Sequence, residues 1–145
     1  MEKEITDEKI AKKMKEGWIK SLMMIEVMAV SKEFAESALK KHIEKMEKEK
    51  KTIIYKKDFK ETNKVKKPFP NIDVAYSQIV ELELITETYE QLVVLAMNYG
   101  PSSIEILEPE HIKIDMGEAQ GILNSIADVI HKFAARGSGG IIINT

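Results

Sequence analysis

The sequence has no cysteine, a single arginine, a single tryptophan and four prolines in 145 residues. Without cysteine there is no disulfide, no thiol nucleophile and no thiolate metal site. Burial alone has to hold the chain together. At this length one domain buries roughly 68–70% of its unfolded surface, so it needs no covalent staple. Long apolar runs are missing too, and none approaches the ~20 residues of a membrane span. The N-terminal stretch MEKEITDEKIAKK carries charge where a signal peptide carries an apolar core. These absences predict one soluble, cytoplasmic domain over residues 1–145, with no membrane partner.

What is abundant is charge, at 32% of residues, as 21 lysines and 19 glutamates beside the one arginine. Lysine and glutamate enrichment is a mark of hyperthermophile proteins, whose surface ion pairs gain value with temperature. The net charge of −2 conceals a division along the chain. Residues 1–67 hold 19 lysines against 13 acids, whereas residues 68–145 hold three basic residues against 11 acids. Such a division acts only where the fold separates the two halves in space.

Periodicity supplies the elements. Thr6 followed by Asp7 and Glu8 starts a helix that Gly17 ends. Residues 18–30 form a strand with Ile19, Met23, Ile25, Val27 and Ala29 on one face and Leu22, Met24, Met28 and Val30 on the other. A strand apolar on both faces belongs in the middle of a sheet. Ser31 caps a helix to about Lys50 whose stripe is Phe34, Ala35, Ala38, Leu39, Ile43 and Met46. Residues 52–58 make an edge strand. Phe59–Ile72 shows no period and contains Pro68 and Pro70, which predicts a long exposed loop. Alternation resumes over 73–85, and Thr86 or Thr88, the latter forming a capping box with Gln91, opens a helix that Gly100-Pro101 stops. A short strand over 103–107 precedes a last helix opened by Asp115 and Glu118, with Ile122, Ile126, Val129, Ile130 and Phe133 as its apolar face. Gly137–Gly140 then reads as a hinge before Ile141, Ile142 and Ile143.

The order βαββαβ predicts an α+β fold, ferredoxin-like, with an antiparallel sheet and an extra helix at each end. Its parts are the N-terminal helix 1–17, the core 18–108, the C-terminal helix 115–136 and the hinge and tail 137–145. Right-handed crossovers give four strands in the order 4-1-3-2, with helices on one face. The edges then carry Lys51, Lys56 and Lys57 on one side and Glu105 and Glu108 on the other. In outline, residues 18–108 resemble the small-molecule-sensing ACT-like domains. Those domains carry glycine between the first strand and first helix, where this chain has Met28-Ala29-Val30-Ser31-Lys32, so their ligand role does not carry over.

Candidate chemistry is sparse. Glu26 is the one carboxylate inside the central strand, and burial there would disfavour its ionised form and suit it to act as a base or ligand. Glu108, Glu110 and His111 put two carboxylates and an imidazole in one turn, groups able to serve acid–base chemistry or ligand binding. Lys56, Lys57, Lys60, Lys64, Lys66 and Lys67 fall in a basic stretch interleaved with Tyr55, Phe59 and Phe69, the footprint of a nucleic-acid backbone site. No motif implies a cofactor or a metal ion. Gly137–Gly140 follows a helix C-terminus, where the dipole repels a phosphate.

The leading expectation is a non-enzymatic, self-associating module, a homo-oligomer that binds a small ligand or protein partner at a subunit interface. An enzyme using Glu26 or the Glu108–His111 turn is the first alternative, and a nucleic-acid binder using the lysines of 40–67 is the second. Association can join the basic edge to the acidic edge, or pack the open sheet face on a second copy.

Overall fold

The computed structural model describes residues 5–135. The elements run α1 (Asp7–Lys15), β1 (Ile19–Ala29), α2 (Lys32–Glu47), β2 (Thr52–Phe59), β3 (Asn63–Phe69), β4 (Ile72–Thr86), α3 (Tyr89–Tyr99), β5 (Ser103–Glu108) and α4 (Met116–Ala135). Among the described residues this is an α+β arrangement of four helices and one antiparallel sheet. The hinge and tail expected over 137–145 lie outside them. The sheet order is β2-β4-β1-β5, and β3 also pairs with β4.

The caps are those the local sequence dictates. The hydroxyls of Thr6, Ser31 and Thr88 accept the backbone N–H three residues on, at 3.3, 3.1 and 3.1 Å. At the end of α1, Gly17 takes φ +101°, the left-handed region a side chain resists. That lets Gly17 N–H reach the Met14 carbonyl and Trp18 N–H reach the Lys13 carbonyl, each at 3.1 Å. Thr88 fixes the start of α3, and Gly100, at φ +56°, ends it.

Among the described residues five strands appear where four were expected. The segment 59–72 is not a loop: β3 lies along the N-terminal half of β4, with Asn63 opposite Ser77 and Phe69 opposite Ile72. Its apolar signal is weak because the strand is an outer edge, and Lys64 and Lys66 alternate outward around the half-buried Val65. Pro68 is tolerated because the pairing there is irregular between Lys66 and Phe69. β4 spans 15 residues and serves two strands on one side, β2 along its C-terminal half and β3 along its N-terminal half. On its other side β1 pairs only from Tyr76 onward. Residues 72–75 and their β3 partners therefore form a two-stranded ribbon beyond the rest of the sheet.

One sheet face carries the main core. Met23, Ile25, Val80, Leu82 and Leu84 meet Leu39, Ile43 and Met46 of α2 and Leu92, Leu95 and Tyr99 of α3. Each such side chain contributes roughly 1.5–3 kcal/mol by leaving water. Phe34 is exposed and falls outside this core, correcting its place in the expected α2 stripe; Ala35, one position on, is buried instead. Among the described residues, the opposite face is covered at one end only. There α1 seats Ile10 beside Trp18 and Ile85, with Met14, Ile53 and Tyr55 around them, and Lys13 Nζ lies 4.4 Å from the Trp18 ring centroid.

Candidate functional site

Placement separates the residues that sequence grouped. Glu26 is exposed, on the sheet face away from α2 and α3 and opposite Ile79, so the burial that would favour a base is absent. Glu108 Oε2 lies 3.9 Å from Lys20 Nζ and faces a hollow shared with Asp7, Ile10 and Tyr55. His111 faces a different hollow, with Thr88, Tyr89 and Glu118, and Glu110 stands in solvent. The turn after β5 thus sends its acids and its imidazole apart. Among the described residues no three histidine or carboxylate side chains converge to hold a metal ion.

The lysines also divide. Lys56 is exposed and paired in register with Glu83. Lys57 Nζ is 3.1 Å from Glu47 Oε1 on α2. Lys60 donates to Asp58, a hydrogen bond that raises its pKa above the ordinary lysine value. Lys64, Lys66 and Lys67 stand exposed on β3, at the ribbon.

Between α2 and the β2–β4 pair lies a cleft of about 500 Å³, its walls including Glu36, Lys40, Glu44, Lys57, Phe59 and Gln78. Gln78 is 8% exposed, and its Nε2 donates to the Lys60 carbonyl at 2.9 Å. That bond fixes which end of the amide is which, because a carbonyl only accepts. Gln78 Oε1 has no partner among the described residues. The signal was in the sequence as a polar residue on the inward register between Tyr76 and Val80, and the sequence reading passed over it.

On the far side, α2 and α3 are tied by polar contacts. His42 Nε2 lies 3.0 Å from the Tyr99 carbonyl, and the two rings meet edge to face at 5.1 Å. Tyr99 donates its hydroxyl to Glu49 at 3.1 Å, and burial, then this bond, push its pKa up to about 12. Tyr55 also rises to about 12, through burial first and then the charges of Glu83, Glu108 and Asp7.

The least expected surface is α4. Asp115 accepts from Glu118 N–H at 2.8 Å, as its capping sequence predicts. None of the helix's 20 residues is buried. The expected single stripe is split in two. Gly121, Ile122, Ser125 and Val129 are partly covered, on the side facing α3. Met116, Ala119, Leu123, Ile126, Ile130 and Phe133 are exposed, Leu123 at 62% and Phe133 at 54%. Those six positions recur at intervals of three, four, three, four and three residues, the a/d seam by which one helix packs along another. The sequence reading placed Ile122 and Val129 with the outward residues because all are apolar; α3 takes the first pair and leaves the seam.

Fold and surface together define an α+β domain with one well-filled helix layer, a half-covered outer sheet face and an outward apolar helix. Among the described residues, no helix is long and apolar enough to cross a membrane. The MJ0538 family model matches residues 20–141, and the chain belongs to that family. No curated protein and no solved structure matches it.

Proposed function

We propose that this protein is a self-associating module whose subunits pair through α4. The observation that carries this is the exposed heptad seam from Met116 to Phe133. An exposed apolar patch of this kind marks an interaction site, and its 3-4 spacing fits a helix rather than a sheet or a small molecule. A second copy of α4 supplies a self-complementary helix, packed about a two-fold axis. The fold supports the ferredoxin-like reading when β2 and β3 count as one interrupted strand, since both run along the same side of β4. The cleft beside Gln78 gives a small ligand room within the same module.

Sedimentation mass tests the pairing. The wild type sediments near twice 16.5 kDa, and 1 M salt leaves the mass unchanged because apolar contacts are not screened. Leu123→Glu with Ile130→Glu returns it to the monomer. A wild-type monomer at high concentration overturns the reading, and dissociation in salt favours contact between the charged edges.

A second reading has its own observation. The β3–β4 ribbon presents Lys64, Lys66 and Lys67, and a two-stranded ribbon fits the major groove of a DNA duplex. Binding of a duplex oligonucleotide that weakens steeply with salt and disappears in the triple glutamine variant supports it.

A further inference from the structure

We propose that the cleft between α2 and the β2–β4 pair binds a primary ammonium group carried on a short apolar stem. The proposal rests on the reading that a small ligand occupies this cleft. It does not depend on pairing through α4, since the walls come from α2, β2 and β4.

The cleft is closed at one end, where Lys57 Nζ meets Glu47 Oε1 at 3.1 Å and ties β2 to the last turn of α2. Its open length runs on from that pair. Along α2, residues 44, 40 and 36 recur about one helical turn apart on a single face. Across from them stand Phe59 of β2 and Gln78 of β4, and Ile43, 1% exposed, supplies buried apolar surface between. The volume of about 500 Å³ is that of a site for a small organic molecule.

Gln78 is the observation that points to a ligand. It is 8% exposed, its Nε2 is committed to the Lys60 carbonyl at 2.9 Å, and Oε1 has no partner among the described residues. A buried acceptor left unmade carries the full cost of its desolvation, and only a donor relieves it. The atom is shielded from solvent in this structure, and the broad terminal torsion of a glutamine lets it turn toward a bound donor.

The charges around it select the kind of donor. Glu47 matches Lys57, so the open length holds Glu36 and Glu44 against Lys40 alone. Lys40 sits four residues from each carboxylate, the spacing at which opposite charges on a helix attract. One negative charge is left over, beside an acceptor with nothing to accept. A ligand carboxylate would meet groups like itself, whereas a primary ammonium brings three N–H donors and no acceptor. Phe59, 39% exposed, offers its ring to the stem and its π-face to the cation.

Hexylamine, hexanol and hexanoate share one stem and differ in the head group, so they isolate this preference. Each is titrated into the labelled full chain and followed through backbone amide shifts. Hexylamine should move the amides of Glu36–Glu44, Phe59 and Gln78 along one saturating curve, and the other two should not. Gln78→Met keeps the length of the side chain and removes the acceptor. It should weaken hexylamine binding at least roughly tenfold, the scale of a hydrogen bond to a charged donor. Glu36→Gln combined with Glu44→Gln changes only side chains at the cleft mouth, so it tests the site without touching β4. It should weaken binding by a similar factor while the melting temperature stays near that of the wild type. Hexanol or hexanoate saturating the same amides as tightly would overturn the ammonium class and leave a small-ligand cleft standing. Saturation by none of the three would overturn the class and the cleft together. Hexylamine binding that both variants leave unchanged would be attraction to surface charge, and would overturn the proposal as well. Sedimentation mass reports on pairing through α4 separately from all of these results.

Discussion

Gly121 of α4 sits against the carboxylate of Glu90 on α3, so close that a Cβ on the glycine would lie 2.8 Å from the Glu90 carboxyl carbon. On the same turn, Glu118 accepts the Glu90 backbone N–H at 3.1 Å. These two contacts set the distance between a helix with no buried residue and the domain beneath it. Gly121→Ala moves only the flexible end of Glu90 and should stay within ~1 kcal/mol of the wild type, since alanine also favours the helix. Gly121→Leu overfills the contact and should cost about 1–3 kcal/mol in denaturant unfolding. A leucine variant as stable as the wild type would mean that α4 stands off α3.

Thr88 holds the start of α3, from which Gln91 reaches the sheet. Its hydroxyl caps α3 by accepting Gln91 N–H, and Gln91 Nε2 donates to Thr52 Oγ1 on β2 at 2.9 Å. Thr88→Ala should cost about 0.5–2 kcal/mol, whereas Thr88→Ser should keep most of the stability. Equal losses from both would show that the methyl group, and not the cap, matters.

Much of this architecture was legible from residue order. Thr6, Ser31, Thr88 and Asp115 announced their helices because capping chemistry is local. Ile19–Ala29 announced a central strand because both its faces are apolar. β3 was not legible, since Lys64 and Lys66 are as compatible with a loop as with an edge, and only pairing with β4 distinguishes them. Neither was the partition of α4: Ile122 and Ile126 are chemically the same, and only the position of α3 decides which is covered. The candidate site suffered most. Glu108 and His111 are three residues apart in sequence, yet they face separate hollows.

Two of the four tyrosines give the protein an alkaline limit. Tyr55 and Tyr99 are raised in the folded state from 10.0 to about 12. An unfolded chain therefore loses these protons at a pH where the folded chain keeps them. The stability linked to them is complete below pH 10 and is lost as pH rises from 10 through about 12. Titration at 295 nm should show late ionisation that Tyr99→Phe removes in part, and the same variant should flatten the fall of melting temperature over that range. A curve indistinguishable from wild type would mean that Tyr99 is solvated.

Lys64, Lys66 and Lys67 stand in solvent on β3. Replacing all three with glutamine should leave unfolding free energy within ~1 kcal/mol, the usual scale for exposed charges. A larger loss, seen as a shifted denaturation midpoint, would show that the lysine stems pack on the ribbon.

The uneven neighbours of β4 divide one strand between two levels of protection. From Val80 to Thr86 it is hydrogen-bonded between β1 and β2, and those amides can exchange with solvent only when the body of the domain opens. From Ile72 to Ala75 it has β3 alone, and two strands without a third are marginal in water. The ribbon can therefore unzip from its Phe69–Ile72 end and close again while the domain stays folded, so deuterium should enter β4 in two phases whose boundary falls near Tyr76.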